Sequence, residues 1–183
     1  MRRVELEHVI RAAATVAEDP DLVIVGSQAI LGQFPEAPEG MLVSREADVY
    51  PRNRPERQDE IEGALGDGSY FESTFGYYAH AVGPETAKVP AGWEERLVPV
   101  CNENTGGATG WCLEVHDLLL SKCAAGRERD WEFAEEALRY GLAESGELRS
   151  RLDGMPLAAE ELRALRRTVN GIAARAAKKD ASR

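Results

Sequence analysis

Apolar residues recur every three or four positions over residues 4–18, where Leu6, Val9, Ile10, Ala13 and Val16 share one stripe. That spacing predicts an amphipathic helix, stopped at EDPD by Pro20. The wholly apolar LVIVG (22–26) reads as a short buried strand. It enters GSQAILGQF, where Gly26–Ser27 predicts a strand-to-helix turn with Ser27 starting the helix. PEAPEG (35–40) is a punctuated loop. MLVSREADVYPRN (41–53) then predicts a strand that ends at Pro51.

A charged loop and a short helix from Pro55 to Leu65 follow. SYFESTFGYYAHAVG is aromatic and reads as β-rich, with one strand centred on Tyr77–Val82. RLVPVCN and WCLEV are two further strands, separated by ENTGGATG, which reads as a turn or loop. From His116 the period becomes helical. HDLLLSKCAAG stops at Gly126, and RDWEFAEEALRYGL carries Trp131, Phe133, Ala134, Leu138 and Leu142 on one stripe. A short helix runs to about Leu152, and a long one spans Pro156 to about Lys179. The expected class is α+β, a small mixed sheet flanked by helices with a helical C-terminal portion. Residues 1–115 would form the core, with 116–183 packed on it as a single compact unit.

Composition changes this picture little. The chain has 183 residues, 43% hydrophobic and 30% charged, as an ordinary globular protein has. No apolar run approaches the ~20 residues of a membrane span. The charged N-terminal stretch lacks a signal core, so a cytoplasmic protein with no membrane partner is expected. Cys101, Cys112 and Cys123 occur singly, which argues for reduced packing residues rather than a disulfide framework or thiolate zinc site. His8, His80 and His116 are equally dispersed and read as surface or hydrogen-bonded residues. Net charge is −10, but from Leu162 onward seven basic residues face only Asp180. That segment is +6 and leaves −16 for the rest. A basic tail on an acidic body suits either contact with a phosphate backbone or a solvated helix face.

The chemistry concentrates at two places. In a strand, residues two apart point to the same side, so Glu46 and Asp48 are neighbours. Two adjacent carboxylates repel, and a positive group is expected between them. Preceded by a buried strand and a Gly-Ser turn, the pair suits nucleotide chemistry: turn N–H groups hold phosphate, and carboxylates are hard ligands for Mg²⁺. Acids facing water on a half-exposed strand are the plainer alternative. At the second place, Lys122 lies in an apolar helix and Arg127 and Asp130 at the start of the next. There Asp130 suits a helix cap and Lys122 either a phosphate contact or an ordinary surface position.

The blocks VIVGSQAILGQFPEAPEG, SREADVYP, FGYYAHAVGPETAKVPAGWEERLVPV, ENTGGATGWCLEVHDLLLSK and AAGRERDWEF, in this order, make residues 22–138 resemble DUF6036-type minimal nucleotidyltransferases. These are related to AbiEii-like and Men-type toxins. The resemblance implies a DNA polymerase β-like nucleotidyltransferase fold. Gly26 and Ser27 match the GS motif and Glu46 and Asp48 the acid-x-acid metal pair. Lys122 matches the second-motif lysine, and Arg127 and Asp130 fall in the later R-x-[KR]-D segment. The sequence departs from the pattern in having Glu first in the acid pair and FPEAPEG inserted before it. Ser44 stands near the serine phosphorylated by the antitoxin in some relatives, and Glu114 is a candidate third carboxylate.

The resemblance thus implies a Mg²⁺-dependent transferase, the toxin of a toxin–antitoxin pair with a cognate antitoxin. It would move a nucleotide from an NTP to the 3′ end of tRNA, which the basic segment 162–183 would touch. Its catalytic set would be Glu46, Asp48, Lys122 and Asp130, with Gly26, Ser27, Lys122 and Arg127 binding nucleotide. Two alternatives stand beside it: nucleotide transfer to a protein side chain, and a catalytically inert domain that binds nucleotide or a partner.

Overall fold

The computed structural model describes residues 1–180, with side chains to residue 178. It divides into two units, one of residues 1–87 and 97–114, the other of residues 88–96 and 115–183.

The first unit holds the sheet. Its strands are β1 (Asp21–Val25), β2 (Glu46–Pro51), β3 (Tyr78–Ala81), β4 (Val98–Val100) and β5 (Thr109–Cys112), in the order β3-β2-β1-β5-β4. β1 is central, antiparallel to β2 and parallel to β5, while β2 and β3 are parallel and β4 and β5 antiparallel. This is a mixed five-stranded sheet in an α+β protein, as the pattern predicts.

Helix α1 (Arg3–Ala17) buries Leu6, Val9, Ile10 and Ala13 completely. It packs where β5 carries Gly110. A Cβ there would stand 2.4 Å from Ile10 Cδ1, so glycine lets helix and sheet approach closely. The same sheet face carries Leu22, Ile24, Ala47, Val49 and Ala79, all fully buried. By strand alternation the opposite face of β2 carries Glu46, Asp48 and Tyr50.

Two sequence expectations fail locally. The aromatic run before β3 is not β structure: Tyr70–Phe75 form helix α3, following α2 (Gln58–Leu65). The Ser69 hydroxyl accepts the Glu72 N–H at 3.1 Å and caps α3, while Gly76 ends it at φ 81°. Local capping outweighs aromatic β preference here. Ser27 does begin a helical segment, but it is a 3-10 turn of six residues, Ser27–Gly32. Ala29, Ile30 and Leu31 are all buried within it, and Pro35 follows too closely for an α-helix to continue.

The second unit is helical: α4 (Val115–Ala125), α5 (Glu128–Arg139), α6 (Ser145–Arg151) and α7 (Ala159–Asp180). Asp117 is fully buried in α4 and takes hydrogen bonds from Arg96 Nε at 2.8 Å and Arg151 Nη1 at 2.8 Å. The segment 88–96 thereby joins this unit. Arg175 of α7 donates to Glu135 of α5 at 2.7 Å, and Arg149 of α6 to Asn170 of α7 at 2.9 Å. The side chain of Lys179 and the whole of Arg183, both counted in the basic tail, lie outside the described residues.

Candidate active site

β1 ends at Val25, and the next residue adopts φ 64°, ψ −169°. Only glycine takes this conformation readily. β2 runs back alongside, pairing Val25 with Asp48, which lays the Asp48 carboxylate over the turn. A Cβ on Gly26 would lie 1.8 Å from Asp48 Oδ2. The Gly-Ser turn and the second acid of the pair are therefore in direct apposition, although 22 positions apart along the chain (26 to 48).

Glu46 and Asp48 lie on one strand face, both half-buried. Each of the two takes a hydrogen bond from β3, which offsets their mutual repulsion. Tyr78 Oη donates to Glu46 Oε2 at 2.9 Å, and His80 Nδ1 donates to Asp48 Oδ1 at 2.9 Å. Both donors come from β3, whose register sets Tyr78 opposite Glu46 and His80 opposite Asp48. Burial and the Glu46 hydrogen bond push the Tyr78 phenol up to about 12, so it stays a neutral donor. Burial favours the neutral His80 ring, yet the hydrogen bond and charge of Asp48, with Glu62 and Glu46, outweigh it and raise its pKa.

Ser44 is half-buried at the entrance to β2, its hydroxyl accepting the Glu46 backbone N–H at 3.2 Å. Gln28, in the 3-10 turn, is 1% exposed. Its amide nitrogen reaches the Ser44 carbonyl at 3.5 Å, and its Oε1 has no hydrogen-bond partner. Glu114 lies beyond the end of β5, not on it.

The second cluster belongs to the helical unit. Lys122 is 8% exposed, its ammonium 3.0 Å from Asp130 Oδ1 and 4.8 Å above the Phe133 ring. Arg127 Nε donates to Asp130 Oδ2 at 2.6 Å. Burial alone would raise the Asp130 carboxyl, but bonds from Arg127 and Lys122 hold it below the usual range. Asp130 does not cap α5 as its position suggested. Arg127 is the N-cap, without a side-chain bond, and the Asp130 carboxylate is committed to the two cations. Nor is Lys122 an ordinary surface lysine.

Among the described residues no group of three or more His, Cys, Asp or Glu side chains is arranged to hold a metal ion. That excludes a protein-only cage there, not Mg²⁺ binding in general. Mg²⁺ retains several waters and commonly takes one or two carboxylates plus substrate phosphates. Two hard carboxylates beside a glycine turn fit such an ion arriving with a triphosphate.

Tyr78 escaped sequence reasoning, as did the pairing of His80 with Asp48, since the sequence reads His80 only as a surface or hydrogen-bonded residue. Their signal was the i, i+2 spacing in YAHA, the same alternation that flagged Glu46 and Asp48. What spacing cannot supply is the β2–β3 register.

This mixed sheet, with Asp48 over a glycine turn and Glu46 on the same strand face, suits nucleotide chemistry. The family comparison agrees: residues 4–178 match the family described as "Nucleotidyltransferase of unknown function (DUF6036)". The chain belongs to that nucleotidyltransferase family. No curated protein and no solved structure is a match.

Proposed function

We propose that the protein transfers a nucleoside monophosphate from a nucleoside triphosphate to an acceptor hydroxyl, as the toxin of a bacterial toxin–antitoxin pair with tRNA 3′ ends as acceptors. The observation that carries the transferase reading is the apposition of Gly26 with Asp48, with Glu46 on the same strand face. Family membership supports it.

In this reading the Gly26–Ser27 turn lets triphosphate oxygens approach the backbone, where no side chain intervenes. With only a six-residue 3-10 turn behind it, the turn's own N–H groups supply the attraction, not a helix dipole. Glu46 and Asp48 would hold Mg²⁺, which when bound would offset the phosphate charge. The acceptor hydroxyl oxygen forms a bond to the α-phosphorus as its proton is released to solvent, the bond to the bridging oxygen breaks, and pyrophosphate leaves. Lys122 and Arg127 are proposed as the cations that neutralise charge building up on phosphate, with Asp130 positioning one of them or assisting the acceptor hydroxyl. Phosphorylation of Ser44 by an antitoxin would put a dianion one residue from Arg45 and two from Glu46, opposing triphosphate binding.

The tRNA assignment leans on the resemblance and on α7, where Arg163 and Arg167 are exposed. Two other cations of that helix are neutralised locally, Arg166 by Asp153 at 2.6 Å and Arg175 by Glu135 at 2.7 Å. That pairing favours the second reading, transfer to a protein side chain, the antitoxin's own included.

The test is incubation with each of four labelled triphosphates, with and without total tRNA. Label in RNA supports the first acceptor and label in protein the second. Glu46→Gln and Asp48→Asn should each abolish transfer while the protein stays folded. Full activity in either variant would remove the acid pair from the mechanism. RNA binding should also weaken steeply with salt, and a flat response would remove the tRNA acceptor.

A further inference from the structure

The acid pair is built on β2, but its geometry is set by β3. Glu46 and Asp48 sit opposite Tyr78 and His80 in a parallel pairing, and each acid takes a 2.9 Å hydrogen bond from the residue it faces. Two such bonds at the same offset form a repeated motif, strand donor to strand acid, across one edge of the sheet. Each bond fixes one carboxylate oxygen and so sets where the second one points. For Asp48 the second is Oδ2, which lies over Gly26.

We infer that Tyr78 and His80 are positioning residues, which orient Glu46 and Asp48 for a divalent cation without ligating it themselves. This inference rests on the transferase reading above. Three observations argue for it over a plain surface role. First, both donors act on the two acids of the pair; no exposed carboxylate elsewhere need be invoked. Second, the donors suit the task. A phenol and an imidazole can each supply a directed N–H or O–H, whereas a lysine in either place would bring a compact ammonium that competes with a metal ion for the same oxygens. Third, β3 is the edge strand next to β2, so these side chains reach the acids from the flank away from β1. Partners of this kind around metal-binding carboxylates govern affinity strongly, and their loss typically lowers it ten- to hundredfold.

The experiment follows Mn²⁺ alone, as a stand-in for Mg²⁺, binding to the full chain by loss of the free-ion electron spin resonance signal. Tyr78→Phe removes one oxygen and keeps the ring. His80→Ala removes the imidazole, and His80→Asn returns an N–H donor at the place of Nδ1. Melting temperatures are recorded in parallel. The expected result is a roughly ten- to hundredfold weaker Mn²⁺ affinity in Tyr78→Phe and His80→Ala, partial recovery in His80→Asn, and melting close to wild type. A structural role alone would move melting and not the Asn rescue. Asp48→Asn separates the two levels of the argument. If it loses Mn²⁺ while Tyr78→Phe and His80→Ala bind like wild type, or tighter, the positioning role is overturned and the acid pair survives. If Asp48→Asn binds Mn²⁺ as wild type does, the metal-holding role of the pair falls, and the inference with it.

Discussion

Gly26→Ala is the sharpest perturbation available, because two independent costs meet there. The backbone at φ 64°, ψ −169° lies in a region that a residue with a Cβ occupies at about 1–3 kcal/mol. The new methyl would also fall 1.8 Å from Asp48 Oδ2 and 2.8 Å from its Cγ. No van der Waals contact is that short, so the carboxylate must swing away and lose its His80 bond, worth a further ~1 kcal/mol net. Together these give about 2–4 kcal/mol, which in a chain of this size lowers the melting temperature by about 4–16 °C. Nucleotidyl transfer should fall with it, since the displaced group is a proposed metal ligand. Thermal melting followed by circular dichroism is the assay, with two comparisons. Gly68→Ala also has a positive φ, 75°, but open space around it, so it carries a positive-φ backbone cost without a clash. Repeating Gly26→Ala in an Asp48→Ala background removes the two shortest contacts and leaves only the Cβ at 3.2 Å. If Gly26→Ala costs no more than Gly68→Ala, and the same in either background, the apposition of turn and acid has no energetic reality.

Other outcomes follow from the same geometry. Asp130→Asn leaves Lys122 buried without a counter-charge and should cost about 3–5 kcal/mol in chemical denaturation, most of it recovered when Lys122→Met is added; a loss under ~1 kcal/mol in the single variant would count against the buried pair. Asp19 accepts backbone N–H bonds from Asp21, Asn53 and Arg54 at 3.0, 2.7 and 3.1 Å, and although burial opposes it, these and the Asn53 amide lower its pKa. Its contribution is thus complete above the unfolded value of about 3.9 and is lost as pH falls through the lower folded value, so Asp19→Asn should flatten the acid limb of melting temperature against pH, and parallel limbs would refute this. Burial pushes both the Cys112 and Cys123 thiols up to about 12, while Cys101 is exposed. A thiol reagent at neutral pH should therefore titrate one cysteine quickly in the native protein and the remainder only on unfolding.

Much of the fold was legible because its signals are local. The stripe of α1, the apolar run of β1 and the alternation in β2 each specify one element within a few turns or residues. The error at residues 70–75 shows what competes. Aromatic content argued for a strand, while Ser69, Glu72 and Gly76 spelled out a helix cap and stop in the same letters. At the site, strand periodicity sufficed to put Glu46 and Asp48 on one face. Their neighbours Tyr78 and His80 come from a strand more than thirty positions on (32 from 46 to 78), and register between distant strands is a tertiary outcome. Lys122 and Asp130 were close enough in sequence to be linked, yet their burial depends on how α4 and α5 pack.

The path of the chain carries a consequence for anyone wishing to divide it. Residues 88–96 belong with 115–183, and Arg96 grips Asp117 with 2.8 and 3.1 Å bonds. Severing the polypeptide after Glu114 would not yield two autonomous halves. The amino-terminal product would keep a strap evolved for the other piece, and the carboxy-terminal product would inherit a sequestered aspartate stripped of one of its two guanidinium partners.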